Sequence, residues 1–565
     1  MTNSIINFIT SFLSNSNTYK HISSVKPKTG RPRVMISDSF GLFKIAVKTG
    51  KVIKISVLPQ DPAVGPAQII EFPQEKIGDK LSGERVEAHE SNPSFVLAKP
   101  DDKGDYIYKA GTPQSGQVNS YAVTYRTLDM FEELMGHRID WAFKKSGMKV
   151  LPHHKKWRNA YYDRREEAVN FGFFDSAELK KMVRTAESSD IVSHEAGHAI
   201  LDGLRPRYLS FLSGKETMAF HEAFGDITAM FLTLRNENNL KAILSENKGD
   251  FRKESLLSRM GEEFGKAKHL SDKDPANDSN IYLRTAINNF TYNDPYSLPG
   301  GYPEDSLSSE PHNFSRLFTA TVYDCLEGFF KQNLAKTSDK LSSLKTAASH
   351  LSKIFSYAVE LSPPTRCKYK DIAIGMLKAD KQITNGKYQD VMEKIFLERK
   401  ILNSNDLKKK DIPELKLNKS LKTEEDALNF IKQNKDKLGI SIPLNLKTDS
   451  IYTNKNGETF INYSSVKEVP VKGDGLERYK DCFTMISGGF TLAFDAQGRL
   501  MNFTQDIIDE TKIKDAMDEI KGYDKSGLIL DTHKKGETDV LYRAVIKEPY
   551  GKSHKKILEK IPVIE

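Results

Sequence analysis

The stretch of residues 190–231 constrains this chain most, because it contains the pattern H-E-A-G-H at positions 194–198. Two histidines four residues apart project from one face of a helix, since successive residues turn by about 100°. Both imidazoles can then reach one tetrahedral Zn²⁺, while Glu195 lies beside the open coordination position as a general base. The pattern therefore predicts a zinc-binding helix with His194 and His198 as metal ligands.

A second helix downstream is predicted to supply the third ligand. Glu222 lies 24 residues after His198, which leaves room for a loop and an antiparallel helix. Glu222 would complete a His₂Glu ligand set with one position left for water, so we expect one zinc ion per chain. Asp226, one helical turn later, can accept the outer N–H of a ligand histidine and fix its tautomer. A buried carboxylate is costly unless it is paired, and a metal ion provides that pairing.

Two other segments are placed to face such a site. The runs at residues 157–162 and 168–173 predict a strand pair that ends shortly before the zinc helix. An edge strand there could hold an extended peptide through main-chain hydrogen bonds, although an ordinary strand would show the same pattern. His312 follows a Gly- and Pro-rich loop and opens a predicted helix, so its side chain could reach into a cleft.

Composition excludes several other classes of protein and site. The net charge of +8 is small beside 76 acidic residues, and no basic stripe with interleaved aromatic residues indicates nucleic-acid binding. Three widely spaced cysteines without a C-x-x-C pair exclude a disulfide framework and a thiolate zinc site. At residues 153–156, the sequence H-H-K-K places adjacent side chains on different sides of any regular element. This favours a basic surface loop over a second metal site.

The chain shows no clear targeting or membrane segment. No stretch approaches the roughly 20 apolar residues of a transmembrane helix. The apolar patch at residues 5–13 is short, is interrupted by polar residues and has no Lys or Arg before it, unlike a secretory signal. We therefore expect no integral membrane segment, and the localisation stays open between the cytoplasm and export without a conventional signal.

Together these motifs resemble those of the gluzincin metallopeptidases of the thermolysin type. The resemblance covers roughly residues 117–402, and it rests on D-I-V-S-H-E from Asp190, His198 followed by Asp202, and E-A-x-x-D from Glu222 to Asp226. It implies a zinc-dependent endopeptidase that hydrolyses peptide bonds of peptide or protein substrates, with Glu195 as general base. It also implies that Asp190 and Asp202 support the metal ligands, together with Asp226.

Further site residues follow from the same resemblance. The residues that resemble the family's substrate-backbone segment are Asn159, Ala160 and Tyr161. His312 resembles the second catalytic histidine, which stabilises the transition state. No acid stands five residues before it, because Leu307 occupies that position, so Asp305 or Glu310 would have to orient the ring.

Two departures limit what the resemblance implies. Thr233 stands where the family has an acid for its paired calcium site, so calcium is not expected. The interval between His198 and Glu222 is longer than in the family and contains an insertion-like segment. Tyr208 within this segment is a candidate for the family's oxyanion tyrosine, and an ordinary surface loop residue is the alternative interpretation.

At 565 residues the chain is too long for one ordinary domain, and the predicted class is α+β. For the catalytic domain the resemblance implies two lobes, one β-rich and N-terminal and one α-helical and C-terminal, with the zinc helix between them. Four parts are predicted: a β-rich, loop-rich region over 1–115, the catalytic domain over 116–402, a charged linker over 403–422 and an α+β module over 423–565.

Residues 423–565 resemble the propeptide folds of thermolysin- and fungalysin-type enzymes, although here the module follows the catalytic domain. The resemblance implies inhibition or chaperoning in cis, and an unrelated α+β binding module is the alternative. For the whole chain, the alternatives are a catalytically silent, zinc-stabilised binding protein and a narrow-specificity effector or toxin protease. Membrane-anchored ATP-dependent zinc proteases share the H-E-A-G-H motif. They also need a nucleotide-binding loop of the pattern G-x-x-x-x-G-K-[ST], which this chain lacks.

Overall fold

The structure is a computed structural model. It describes residues 50–562 except 79, 211, 273–281, 409–411, 418–420, 422, 444, 526–528, 532–541 and 548–555. The first part of the described chain consists mainly of strands. The strands are β1 (Val52–Val57), β2 (Gln68–Pro73), β3 (Val86–Ala88), β4 (Met148–Lys156), β5 (Ala160–Asp163), β6 (Ala168–Ser176) and β7 (Lys181–Arg184). β1 and β2 form an antiparallel pair. In the second sheet the order is β3-β4-β6-β5, and β7 pairs with the last residues of β6.

The predicted strand pair before the zinc helix is confirmed. β5 runs antiparallel to β6, with Ala160 opposite Phe171 and Asp163 opposite Ala168. Because β5 is last in its sheet, its outer edge pairs with no other strand in the described part of the chain.

A long helix, α1 (Pro113–Met135), is inserted between β3 and β4. Its first turn is capped by the Thr112 hydroxyl, which accepts from the Ser115 N–H at 3.2 Å. It ends at Gly136, whose φ of 77° is the left-handed conformation that a helix C-terminus often requires. Its buried tyrosine Tyr121 belongs to the same apolar core as Phe72 of β2, so this strand and α1 fold together.

The predicted basic surface loop at residues 153–156 is wrong. These residues form the end of β4, and His153 is fully buried. Its Nδ1 lies 2.7 Å from Glu90 Oε2, and its ring centroid is 4.3 Å from that of Phe95. A carboxylate from outside the strand partners the imidazole, and the local sequence gives no sign of that partner.

The predicted helical region follows and is confirmed. The helices are α2 (Ser189–Leu204), α3 (Lys215–Leu234), α4 (Glu237–Asn247), α5 (Glu262–Asp272), α6 (Pro311–Thr337), α7 (Lys340–Leu361), α8 (Tyr369–Thr384) and α9 (Gln389–Glu398). A two-residue ladder joins β8 (Arg259–Met260) to β9 (Arg284–Thr285). The Ser188 side chain caps α2 by accepting from the Ile191 N–H at 3.5 Å.

The C-terminal module, the described part of residues 424–562, contains a further sheet and two helices. Its elements are α10 (Glu424–Leu438), β10 (Lys447–Thr453), β11 (Thr459–Pro470), β12 (Cys482–Phe494), β13 (Leu500–Asp506), α11 (Glu510–Lys525), β14 (Ile529–Asp531), β15 (Tyr542–Lys547) and β16 (Lys556–Pro562). The sheet order is β10-β11-β12-β16-β15-β14, and β13 also pairs with β12. A capping box between Thr423 and Asp426 starts α10, and Gly439 ends it with a φ of 64°.

The described part of the predicted linker is packed against this module. Leu415 is buried in the core beneath α10, and its carbonyl accepts from the Leu500 N–H at 2.9 Å. The Leu417 N–H donates to the Gly498 carbonyl at 2.8 Å. The segment therefore extends along the turn between β12 and β13.

The predicted α+β class is confirmed, with strands early in the chain and helices after them. All described residues belong to one compact unit. The division of the chain at residues 115, 402 and 422 stays a prediction. Among the described helices, none combines the length and the apolar composition that spanning a bilayer requires.

Candidate metal centre

Two glycines let α2 and α3 approach each other closely. A Cβ atom at Gly197 would lie 3.0 Å from Thr228 Oγ1 on the facing helix. A Cβ atom at Gly225 would lie 2.6 Å from His194 Nδ1, which is closer than non-bonded atoms come. Only glycine fits at this second position without moving the ring, so the crossing of α2 and α3 fixes the place of His194.

The three predicted ligands converge at this crossing. One donor atom from each of His194, His198 and Glu222 lies within 4.8 Å of the others. His194 Nε2 is 3.4 Å from Glu222 Oε2, and His198 Nε2 is 3.7 Å from Glu222 Oε1. Two ligand atoms at about 2.05 Å from a tetrahedral zinc ion are about 3.3 Å apart. The observed separations are close to that value.

One of these donor atoms also lacks the hydrogen-bond partner that buried polar atoms normally have. In the described part of the chain, no hydrogen bond reaches the buried His198 Nε2, while the buried Glu222 Oε2 lies 3.4 Å from His194 Nε2 and 3.2 Å from His312 Nε2. Buried polar atoms without hydrogen bonds are rare and require an explanation. A cation bound by these atoms would provide it, so the residues present fit a zinc ion.

The other nitrogen of each ligand histidine is held by a neighbour. His194 Nδ1 is 2.9 Å from Asp226 Oδ1, and Arg284 Nη2 binds the same oxygen at 3.0 Å. His198 Nδ1 is 2.9 Å from His221 Nδ1. These contacts leave both Nε2 atoms directed at Glu222, which is the arrangement a metal ligand needs.

His221 and Arg284 are contributors that sequence reasoning missed. His221 stands directly before Glu222. The sequence thus contains a second His-Glu pair, on α3, and this pair could have indicated that His221 belongs to the site. Two imidazole nitrogens 2.9 Å apart form a hydrogen bond only if one carries the proton and the other does not. With the proton on His198 Nδ1, its Nε2 is free to bind metal. Arg284 comes from a separate strand, β9, and no local pattern marks it.

Glu195 lies beside the cluster with an unused carboxylate oxygen. Its side chain is buried, and in the described part of the chain its Oε2 has no hydrogen-bond partner. Burial raises the pKa of Glu195 to about 7, an effect that His194 opposes and Glu222 reinforces. Such a carboxylate is suited to accepting and returning a proton near neutral pH.

His312 reaches the same cluster from the start of α6. Its Nε2 is 3.2 Å from Glu222 Oε2, and its Nδ1 is 2.7 Å from Glu310 Oε1. Burial lowers the pKa of His312, but the two carboxylates outweigh that effect and raise it overall. Glu310 therefore orients the ring, whereas Asp305, the other candidate from the sequence, is exposed.

The predicted substrate residues lie along the edge strand beside α2. Ala160 and Tyr161 are buried members of β5, and Asn159 directly precedes them with a carbonyl that accepts from the Gly172 N–H at 2.8 Å. The Tyr161 hydroxyl lies 3.0 Å from His154 Nε2. This edge strand contacts the metal-binding helix through the hydrogen bond from the Tyr162 hydroxyl to Asp202, at 2.8 Å.

Asp202 and Asp190 fasten α2 to its surroundings and are not in contact with the ligand histidines. The Asp202 carboxylate accepts hydrogen bonds from Arg164 Nε, at 2.7 Å, and from the Tyr162 hydroxyl. The Asp190 carboxylate accepts from Gln60 Nε2 at 3.1 Å. The structure therefore does not show the predicted contact of either aspartate with a ligand histidine. At His198, the partner of Nδ1 is His221.

Neither interpretation of Tyr208 is correct. The side chain is fully buried, so it is not a surface loop residue. Its hydroxyl is engaged by Ser362 Oγ and by the Pro363 carbonyl, both at 2.7 Å, and these partners lie beyond α7. This hydroxyl stabilises the insertion between α2 and α3 and does not face the metal cluster.

Comparison with known protein families agrees with this geometry. Residues 84–202 match the family model for the thermolysin metallopeptidase catalytic domain. The match covers the second sheet, α1 and the whole H-E-A-G-H segment, while Glu222 and His312 lie beyond it. No curated protein matches the chain.

Proposed function

We propose that this chain, a zinc metallopeptidase with a thermolysin-like catalytic domain, cleaves internal peptide bonds. One observation carries the proposal: donor atoms of His194, His198 and Glu222 lie within 4.8 Å of one another, with Glu195 and His312 beside them. His194 and His198 would hold the ion through Nε2, and Glu222 would hold it through a carboxylate oxygen. Bound zinc would supply Lewis-acid chemistry, polarising a carbonyl and lowering the pKa of a water molecule.

In the proposed reaction, Glu195 transfers the proton. Its unpartnered Oε2 is free to take the proton from the attacking water and then return it to the leaving amine. The low accessibility of the side chain keeps bulk water away from the transferred proton. The same residue thus serves first as a base and then as an acid.

His312 is proposed to stabilise the negative charge that develops on the substrate oxygen. Glu310 holds its Nδ1, so its Nε2 is directed toward Glu222 and the metal cluster. A donor fixed before the reaction starts stabilises a developing oxyanion without reorganisation.

The substrate backbone is proposed to lie along β5. This strand has an unpaired outer edge among the described residues and runs beside α2. An extended peptide added there would form main-chain hydrogen bonds that do not depend on its sequence. Asn159, at the start of the strand, would extend the same contact with its side chain.

Glu310→Gln tests the orientation of His312. We expect kcat/KM to fall by about tenfold, because the amide no longer supports a charged imidazole, while zinc content stays unchanged. The matched control is Asp305→Asn, a change of the same kind at an exposed position of the same loop, which should leave kcat/KM near that of the wild-type protein. Equal effects of the two substitutions would contradict the assignment of Glu310.

The proposed function is tested on the purified full-length chain. We expect one zinc ion per chain by metal analysis and hydrolysis of casein that a zinc chelator abolishes. A peptide library then separates the remaining candidates. Cleavage of many peptides indicates a general endopeptidase, and cleavage of very few indicates a narrow-specificity effector. Bound zinc without any turnover would contradict the proposal and favour a silent, zinc-stabilised binding protein.

A further inference from the structure

The insertion between α2 and α3 leads away from the metal cluster and into the C-terminal module. Leu212 is buried with only 5% of its surface exposed, and its φ of 60° is unusual for a residue other than glycine. It belongs to an apolar core whose other buried members all come from residues 469–558, such as Tyr479, Met517 and Ile520. One leucine of the insertion thus completes the core of the module.

A charged contact accompanies this apolar one. Arg366 lies against Gly214, where a Cβ atom would come within 2.8 Å of its Nε. The Arg366 Nη2 donates to Asp515 Oδ2 on α11 at 2.6 Å and lies 3.4 Å from the Tyr296 hydroxyl. Lys215, the first residue of α3, places its ammonium 5.2 Å from the centre of the Tyr296 ring. Arg366 therefore links Asp515 of the module to Gly214, the residue directly before α3.

The first turn of α3 is also fastened to the segment that carries Arg366. Thr217 Oγ1 donates to the Cys367 carbonyl and accepts from the Cys367 N–H, both at 3.0 Å. The Glu216 carboxylate accepts from the Tyr369 N–H at 2.6 Å and from the Tyr292 hydroxyl at 3.0 Å. Displacement of this segment would consequently displace the start of α3.

Side chains of the module also bind the residues that precede this segment, at the end of α7. The carbonyl of Leu361 at the end of α7 accepts from Asn502 Nδ2 at 3.1 Å and from the Thr504 hydroxyl at 2.7 Å. The next carbonyl, that of Ser362, accepts from the Thr491 hydroxyl at 2.8 Å. These carbonyls at a helix end need partners, and the module supplies them.

We infer that the C-terminal module, the described part of residues 424–562, clamps the start of α3 through Leu212 and Arg366 and thereby positions Glu222, the third ligand of the proposed zinc site. This inference rests on the proposed function. Glu222 lies seven residues after Lys215, about two turns along one helix. A shift at the clamped end therefore moves the carboxylate relative to His194 and His198 on α2. Leu212, Arg366 and Asp515 are positioning residues, and the module is a permanent part of the enzyme rather than an inhibitor in cis.

Asp515→Asn tests the clamp in the full-length chain. We expect the zinc dissociation constant, measured by competition with a chelator, to rise by about tenfold, and kcat/KM to fall with it. Asp515→Glu should recover most of the wild-type affinity, because it keeps the charge that pairs with Arg366. Leu212→Ala, which removes the apolar contact, should change zinc affinity in the same direction.

The matched control is Glu458→Gln, a change of the same kind at another contact between the module and the catalytic region. Glu458 accepts from the Tyr357 hydroxyl on α7 at 2.9 Å and from Gln382 Nε2 on α8 at 3.0 Å, away from α3. We expect it to lower the unfolding temperature and to leave zinc affinity unchanged. All affinities are compared at a temperature at which every variant is folded.

Two results would overturn the clamp. Wild-type zinc affinity in both Asp515→Asn and Leu212→Ala would show that the module does not position the ligand. Faster hydrolysis than the wild-type protein in either variant would show that the module restrains the enzyme. Zinc binding is measured in a Glu195→Gln background, so it does not depend on turnover. Zinc affinity that depends on Asp515 without any peptide hydrolysis would reject the proposed function alone.

Discussion

Replacement of Glu195 by glutamine should abolish peptide hydrolysis while zinc stays bound. The amide keeps the shape of the side chain but cannot take a proton from water, and positioned proton transfer contributes about 10²- to 10⁴-fold to a rate. The three donor groups of His194, His198 and Glu222 are unchanged, so one zinc ion per chain should remain. Metal analysis and a peptide turnover assay on the same preparation measure both quantities.

The control for this substitution is Glu398→Gln, which makes the same change on the exposed surface of α9. It should leave both the turnover and the zinc content at wild-type levels. Hydrolysis by Glu195→Gln at the full wild-type rate would reject Glu195 as the general base. Loss of zinc from that variant would instead indicate that Glu195 helps to hold the metal.

Gly225→Ala should weaken zinc binding by about 10- to 100-fold, although residue 225 is not a ligand. The added methyl group would lie 2.6 Å from His194 Nδ1, so either the imidazole or α3 must move. Movement of the ring breaks its hydrogen bond with Asp226 and turns Nε2 away from Glu222. Overpacking of this kind also costs about 1–3 kcal/mol of stability. Chelator competition and thermal unfolding of the metal-free chain measure the two effects.

A second glycine-to-alanine change provides the matched control. Gly522 lies in α11 with no atom within 4 Å of where a Cβ would be placed. Gly522→Ala should leave zinc affinity unchanged and raise stability by about 0.5–1 kcal/mol, because alanine is the better helix former. If Gly225→Ala also bound zinc like the wild-type chain, α2 and α3 could not be as close as the structure places them.

Several features of the site could be predicted because they depend on one helix at a time. The spacing of His194 and His198 follows from the period of an α-helix, which any chain segment obeys locally. The same period places Glu222 and Asp226 on one face of the next helix. The strand pair before α2 could also be predicted, since alternating apolar and polar residues and short apolar runs indicate strands.

Other features depend on which elements pack together, and sequence reasoning could not decide them. Glu310 and Asp305 are both acids near His312, and only the path of the loop before α6 brings Glu310 to the ring. His153 looked like part of a basic loop, and Glu90 from a distant segment allows its burial. These pairings depend on how the elements pack in three dimensions, and the local periodicity of the sequence does not reveal them.

The sequence by itself determined the candidate zinc-binding pattern, because two of the proposed ligands and the proposed general base share one helix whose geometry is local. Only the tertiary structure decided what surrounds that pattern. His221 binds Nδ1 of His198, Arg284 binds Asp226, and Leu212 joins the segment before α3 to the C-terminal module. These contacts join residues on different elements, so they exist only once the elements have packed.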